Sequence, residues 1–402
     1  MKFIQNPKIT DPQGFTAAAM RAGFKRKRKD LCIIQSAVPA KSVVKFTQNV
    51  VKAAPLLVAM ESLKKTGNLL QALIINSGNA NAGTGQQGLA DTRTTIRMLA
   101  EKTGVQQELI LASSTGVIGE LLDMEKMRNG IEALSFQLSE DGGFGCAEAI
   151  LTTDTVEKSF GVKIDIQGIE VTISGIAKGS GMIQPNMATM LAFVTTDADI
   201  DHALLNRIFT ECVEKQFNMI SVDGHTSTND TALIMANGQA HNPPIQDDTP
   251  EAALFREALM WLTEEMAKAI VRDGEGATKF VAIRLEQVDS FANARKMAFG
   301  IANSALVKTA LFGQDPNWGR ILSAAGMVGV DFDPDRTDLK INGSYIYKAG
   351  NPVRLDKPVL KQLMAPPELE IVLTVNTGLE SATVYTTDLS YDYVRINAEY
   401  HT

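Results

Sequence analysis

The sequence predicts an α/β fold of stacked layers. Short apolar runs of strand length alternate along the chain with stretches of helical periodicity. One pair of strands is plainly a hairpin. Phe160, Val162, Ile164 and Ile166 alternate, Gln167-Gly168 turns the chain, and Val171 and Ile173 continue the pattern. Antiparallel neighbours of this kind favour stacked layers over a plain doubly wound sheet. At 402 residues the chain is long enough for two domains or one large double-layered unit.

Taken in order, the apolar runs place strands at 31–35, 56–60, 72–75 and 109–112. Leu89, Thr92, Ile96 and Leu99 recur at helical spacing. The hairpin follows, and then a strand beginning at 190. Leu204, Leu205, Ile208, Phe209, Cys212 and Val213 form one helix face, with Asp201 as its cap. A strand is expected at 231–236 and a surface loop at 241–248. Leu254, Ala258, Trp261, Leu262, Met266 and Ile270 mark a long amphipathic helix. Beyond it come a strand at 280–285, one helix over 292–311, a strand at 369–375 and a strand-rich C-terminal third.

Composition narrows the function. Hydrophobic content of 45% with 21% charged is ordinary for a globular protein. A net charge of -7 gives no global electrostatic reason to bind nucleic acid. The basic run Lys25-Arg26-Lys27-Arg28-Lys29 is short, stops at Asp30 and reads as a solvated turn. Cys32, Cys146 and Cys212 are widely spaced, as expected of reduced, buried thiols in a cytoplasmic protein. His202, His225, His241 and His401 lack ligand spacing, so no metal is expected. Asp197, Asp199 and Asp201 open like a calcium loop. His202 stands where that loop needs glycine and Ile208 where it needs glutamate. No apolar run reaches membrane length, and residues 1–7 lack the core of a secretory signal.

The most informative stretch is Lys178-Gly179-Ser180-Gly181-Met182-Ile183-Gln184-Pro185-Asn186-Met187-Ala188-Thr189-Met190-Leu191. Flexible glycines and a proline lead to a hydroxyl at the head of an apolar strand. That layout suits a nucleophile that first attacks its own preceding carbonyl, at Ala188. Cleavage would leave Thr189 with a free α-amine, a base able to activate its hydroxyl. The string closely resembles the self-cleavage segment of the ornithine acetyltransferase (glutamate N-acetyltransferase) family, and the resemblance extends over the whole chain.

The resemblance implies an α-β-β-α sandwich of the aminopeptidase/ornithine acetyltransferase type, in two chains after self-cleavage. Residues 1–188 would be the N-terminal fragment and 189–402 the C-terminal one, associated as two copies of each. It implies transfer of acetyl from N2-acetyl-L-ornithine to L-glutamate through an ester on Thr189. No cofactor is implied, and acetyl-CoA is a candidate second donor. Thr115-Gly116, after a short strand, matches the family's oxyanion hole. Thr152, Lys178, Thr189 itself, Glu275, Asn397 and Thr402 match substrate-binding positions. Glu275 lies between two glycines at the end of the long helix, and Lys178 opens the glycine turn. The segments 221–226 and 315–320 also match, without a defined role. The segment 76–85 resembles a phosphate loop but lacks its Gly-Lys-Ser/Thr ending. The alternatives are a self-processed aminopeptidase or amidohydrolase, in which water takes the acyl group, and a scaffold protein with an inert Thr189.

Overall fold

A computed structural model of the chain describes residues 1–184 and 190–399. It contains a nine-stranded and a seven-stranded mixed sheet, with helices on both. The hairpin is present as Lys158–Ile166 and Ile169–Lys178. Gln167 and Gly168 both take positive φ, 53° and 87°, the conformation of a two-residue hairpin turn.

The larger sheet makes the layered sandwich by curling on itself. Its corner is the long strand Leu31–Phe46, whose pairing with Leu69–Asn79 shifts register between Gln35 and Ala40. Before the corner it pairs with Phe15–Met20, after it with Thr231–Ala236. Alternating residues then serve two cores each. Cys32, Ile34, Leu73, Phe193 and Leu233 point into a shared inner core. Ile33 and Ile74 point outward to the helices Gly85–Thr103 and Met124–Ser135. Val194 and Ile234 point outward to His202–Lys215 and Pro250–Arg272. Helix, sheet, sheet and helix are thus stacked in that order. The second sheet carries its own core, against the helices Phe291–Ala302, Ala305–Phe312 and Trp318–Gly326.

Strands from both sides of residue 189 share the larger sheet. Leu191–Thr196 pairs antiparallel with Ile169–Lys178 and parallel with Thr231–Ala236. A break after residue 188 would therefore leave two interleaved fragments, not two folding domains.

Three expectations are corrected. The run at 56–60 is helix, Ala54–Thr66. Pro55 starts it and Gly67, at φ 65°, ends it in the left-handed region. A short apolar run does not separate strand from helix, and those boundary residues decide. The helix expected over 292–311 breaks at Asn303, because Ser304 caps a new helix. The C-terminal third also holds the helices Lys357–Met364 and Tyr391–Glu399. The other expected elements are present, and Asp201 caps its helix through Leu204 N–H.

Candidate functional site

A cavity of about 140 Å³ opens between the layers, at the ends of several strands. Thr115, Gly116, Thr152, Lys178, Glu275 and Asn397 all line it. So does Met190, the first described residue after 185–189. Ala188 and Thr189 lie outside the described residues, as does Thr402.

Thr115 and Gly116 end the strand Ile110–Val117. Gly116 has φ 133°, and a Cβ there would lie 2.4 Å from the Gly78 carbonyl carbon. Only glycine fits that conformation and that approach. Behind it, the segment 76–85 holds itself with buried amides. Asn76 Nδ2 donates to Asn79 O at 2.9 Å and Ser114 Oγ to Asn76 Oδ1 at 2.6 Å. Asn229 Nδ2 ties Ala80 O and Ser114 O together at 2.6 and 2.8 Å. These side chains face inward, which accounts for the asparagine-rich sequence without a phosphate.

Lys178 ends the strand Ile169–Lys178 and sends Nζ to Thr115 Oγ1 at 3.3 Å. Burial pushes the Lys178 pKa down, and Asp154 partly opposes this. Asp154 accepts from Thr152 N–H at 3.0 Å, Gly179 N–H at 2.7 Å and Lys158 Nζ at 2.8 Å. Burial alone would raise the Asp154 carboxyl, but Lys178 and Lys158 outweigh it and hold it well below the usual carboxylate range. Thr153 and Ser180 share a hydrogen bond of 2.7 Å across the same wall.

Glu275 follows the long helix, and its N–H donates to Ser180 O at 2.9 Å. Its Oε2 accepts from Asn397 Nδ2 at 2.8 Å. The Gly181 backbone lies directly against the Glu275 carboxylate, where a Cβ would come within 2.3 Å of Oε2. Asn397 is carried by the helix Tyr391–Glu399. Tyr393 on that helix donates its hydroxyl to Asp223 Oδ2 at 3.3 Å.

Asp223 is a residue that the sequence did not single out by role. Its carboxylate accepts from Met182 N–H at 2.6 Å and Ile183 N–H at 2.8 Å. Met182 sits at φ 56°. The chain entering the 185–189 segment is therefore bent and held by a carboxylate from 221–226. By contrast, Asn317 caps the helix Trp318–Gly326 and Trp318 stacks on Tyr347, away from the cavity. The basic run is more than a solvated turn. Lys25 Nζ donates to Leu151 O at 2.8 Å and Arg28 Nη1 to Asp154 O at 2.7 Å, bracing the wall that carries Thr152. The buried Asp30 carboxylate orders the turn by accepting from the Ala22, Gly23 and Lys25 N–H groups.

No group of three or more metal-binding side chains occurs among the described residues. Among them, no helix is long and apolar enough to cross a membrane.

A layered α/β enzyme with a pocket between the layers of its curled sheet, reached from several strand ends, is the class that this fold and site define. The chain belongs to the ArgJ family, whose model matches residues 16–402. It is 46% identical to the arginine biosynthesis bifunctional protein ArgJ of Streptococcus thermophilus, over 100% of both chains. With the protein of the same name from Caldanaerobacter subterraneus it shares 45% identity over 99% of this chain and 100% of that one. A crystal structure of arginine biosynthesis bifunctional protein argJ from Bacillus halodurans is 44% identical, covering 46% of this chain and 97% of its own, with a TM-score of 0.44.

Proposed function

We propose that this chain is the glutamate N-acetyltransferase of arginine biosynthesis, moving acetyl from N2-acetyl-L-ornithine to L-glutamate. The observation that carries the reading is the convergence of Thr115, Gly116, Lys178, Glu275 and Asn397 on one cavity beside Met190. Thr189 is bonded to Met190 and is the nucleophile in this reading. Its hydroxyl oxygen attacks the acetyl carbonyl carbon. The C–N bond to ornithine breaks, and the hydroxyl proton passes through the α-amine of Thr189 to the leaving nitrogen. The glutamate amine then attacks the ester, and Thr189 recovers its proton.

The pocket residues divide the work. Thr115 Oγ1 and the Gly116 N–H donate to the oxygen that becomes negative in each tetrahedral intermediate. Such donors act strongly in a site sheltered from water. Lys178 offers a cation to a substrate carboxylate. Glu275, oriented by Asn397, offers a carboxylate to a substrate ammonium. Thr152 and Thr402 add polar contacts. We assign no cofactor.

Self-cleavage between Ala188 and Thr189 would precede turnover and give fragments 1–188 and 189–402. We further propose two copies of each in the assembled enzyme, in the cytoplasm. The named relatives are called bifunctional, and we extend a second donor, acetyl-CoA, to this chain. The decisive assay follows ornithine release from acetylornithine with and without glutamate. Acceleration by glutamate, with acetylglutamate formed in equal amount, is the expected result. Release at one rate regardless of glutamate would mean hydrolysis. Substituting acetyl-CoA for acetylornithine tests the second donor.

A further inference from the structure

Behind the pocket wall lies a buried ionic group. Lys158, on the strand Lys158–Ile166, is 1% exposed. Its Nζ reaches Asp154 Oδ1 at 2.8 Å and Asp273 Oδ2 at 2.5 Å. Both carboxylates are buried. Each also accepts from the backbone of the 152–155 loop, Asp154 from Thr152 N–H and Asp273 from Thr155 N–H and its hydroxyl. Asp154 additionally holds Gly179 N–H, next to Lys178. Asp273 stands two residues before Glu275. The three charges thus tie together the backbone behind Thr152, Lys178 and Glu275.

Such a group is a poor device for stability alone, since burying three charges costs more desolvation than apolar packing would. Its arrangement has a specific electrostatic consequence. Asp154 lies within the influence of two ammonium groups, Lys158 and Lys178. Lys158 is in direct contact, whereas Lys178 points to Thr115 Oγ1. A buried carboxylate without a bonded cation would draw in the nearest one available. Removing Lys158 leaves Lys178 as that cation, and a lysine stem has the freedom to turn.

We propose that Lys158 is a positioning residue: by satisfying Asp154 and Asp273 it leaves the Lys178 ammonium in the pocket at Thr115, free for a substrate carboxylate. The inference rests on the acetyl-transfer reading above for its kinetic consequence, but not for its structural one.

The test compares wild type, Lys158→Arg, Lys158→Met and the double variant Lys158→Met/Asp273→Asn. The double variant removes one charge of each sign, so burial no longer strands an unpaired carboxylate at 273, while Asp154 still lacks its own cation. Melting temperature, KM for acetylornithine and kcat are measured for each. Lys158→Met is expected to raise KM at least tenfold and to lower the melting temperature. Arginine should recover most of both. The double variant should regain thermal stability and keep the high KM. If KM returns to the wild-type value together with stability, Lys158 serves only the fold and the proposal is overturned. A crystal structure of the double variant reads the cause directly. Lys178 Nζ bonded to Asp154 supports the proposal, and Lys178 still at Thr115 overturns it. That readout stands even if the wild type transfers no acetyl, in which case the transferase reading alone fails.

Discussion

Lys178 Nζ and Thr115 Oγ1 are 3.3 Å apart, although four strands separate their own strands in the sheet order. Only the curl of the sheet brings the two ends together. The site therefore depends on the corner at 35–40, more than 70 residues before either group in sequence, and not on any local motif.

Self-cleavage is expected at Ala188–Thr189. Purified wild type should run as two bands on a denaturing gel and Thr189→Ala as one. Asp223→Ala frees the Met182 and Ile183 N–H groups that bend the approach, so it should slow conversion to two bands. A fully active wild type running as one full-length band would sink the idea.

The activity should have an alkaline limb set by Lys178. A substrate carboxylate needs the charged lysine, which is present below its folded pKa and lost as pH rises through it. Burial lowers that pKa from 10.5, so the limb should fall below the ordinary lysine range. Lys178→Arg, if it retains turnover, should move the limb beyond reach, since arginine keeps its charge. An unmoved limb in that variant would assign it to another group.

Gly181→Ala should weaken substrate binding selectively. The added methyl collides with the Glu275 carboxylate, which must turn away from Asn397. Losing one such contact to substrate costs roughly 1–3 kcal/mol in kcat/KM. The effect should fall on the substrate whose ammonium Glu275 holds. Unchanged kcat/KM for both acetylornithine and glutamate would place Glu275 outside the binding contacts.

Stability should rise between about pH 8 and 10 in part through Lys308. Its ammonium is buried against Thr386 Oγ1, Thr387 O and Thr387 Oγ1, and burial lowers its pKa to about 8 despite Asp223 and Asp388. Holding the folded lysine charged is unfavourable below that pKa. The penalty fades as pH climbs toward the unfolded value of 10.5. Urea melts of wild type and Lys308→Met across this window should show a shallower rise in the variant. Parallel curves would mean that Lys308 contributes nothing to the slope.

Deleting Thr402 should lower kcat/KM for acetylornithine by roughly 1–3 kcal/mol while leaving self-cleavage intact, because cleavage needs no substrate. Asn397→Ala should do the same, since it also releases Glu275. A deletion variant with unaltered kcat/KM would make the last residue a bystander.

Much of the fold was legible because alternation is a strong signal. The hairpin and the long 250–272 helix follow directly from period-two and period-3.6 patterns, and the 231–236 strand from a short, unbroken apolar run. The 56–60 run misled because it is too short to show a period. The pocket was legible only as separate segments, each unremarkable by itself. What joined Thr115, Lys178 and Glu275 was resemblance of motifs, and the structure shows them around one cavity. Asp154, Lys158 and Asp273 carried no such signal, and Asp223 lay in the matching segment 221–226 without a defined role. Their importance comes from burial or from partners up to 170 residues away, neither of which spacing reveals.

The interleaved sheet also constrains how such a protein is made. Leu191–Thr196 takes its ladder bonds from Ile169–Lys178 on one side and Thr231–Ala236 on the other. Cutting the chain after 188 removes a covalent link but none of those bonds, so the cut would be nearly invisible to the rest of the molecule. The reverse path is much harder. Two halves synthesised apart would each expose an unfinished sheet edge, an invitation to aggregate. One uninterrupted polypeptide, folded first and divided afterwards, is the route that the architecture favours. Intermixing halves from different copies would then require unravelling the sheet itself.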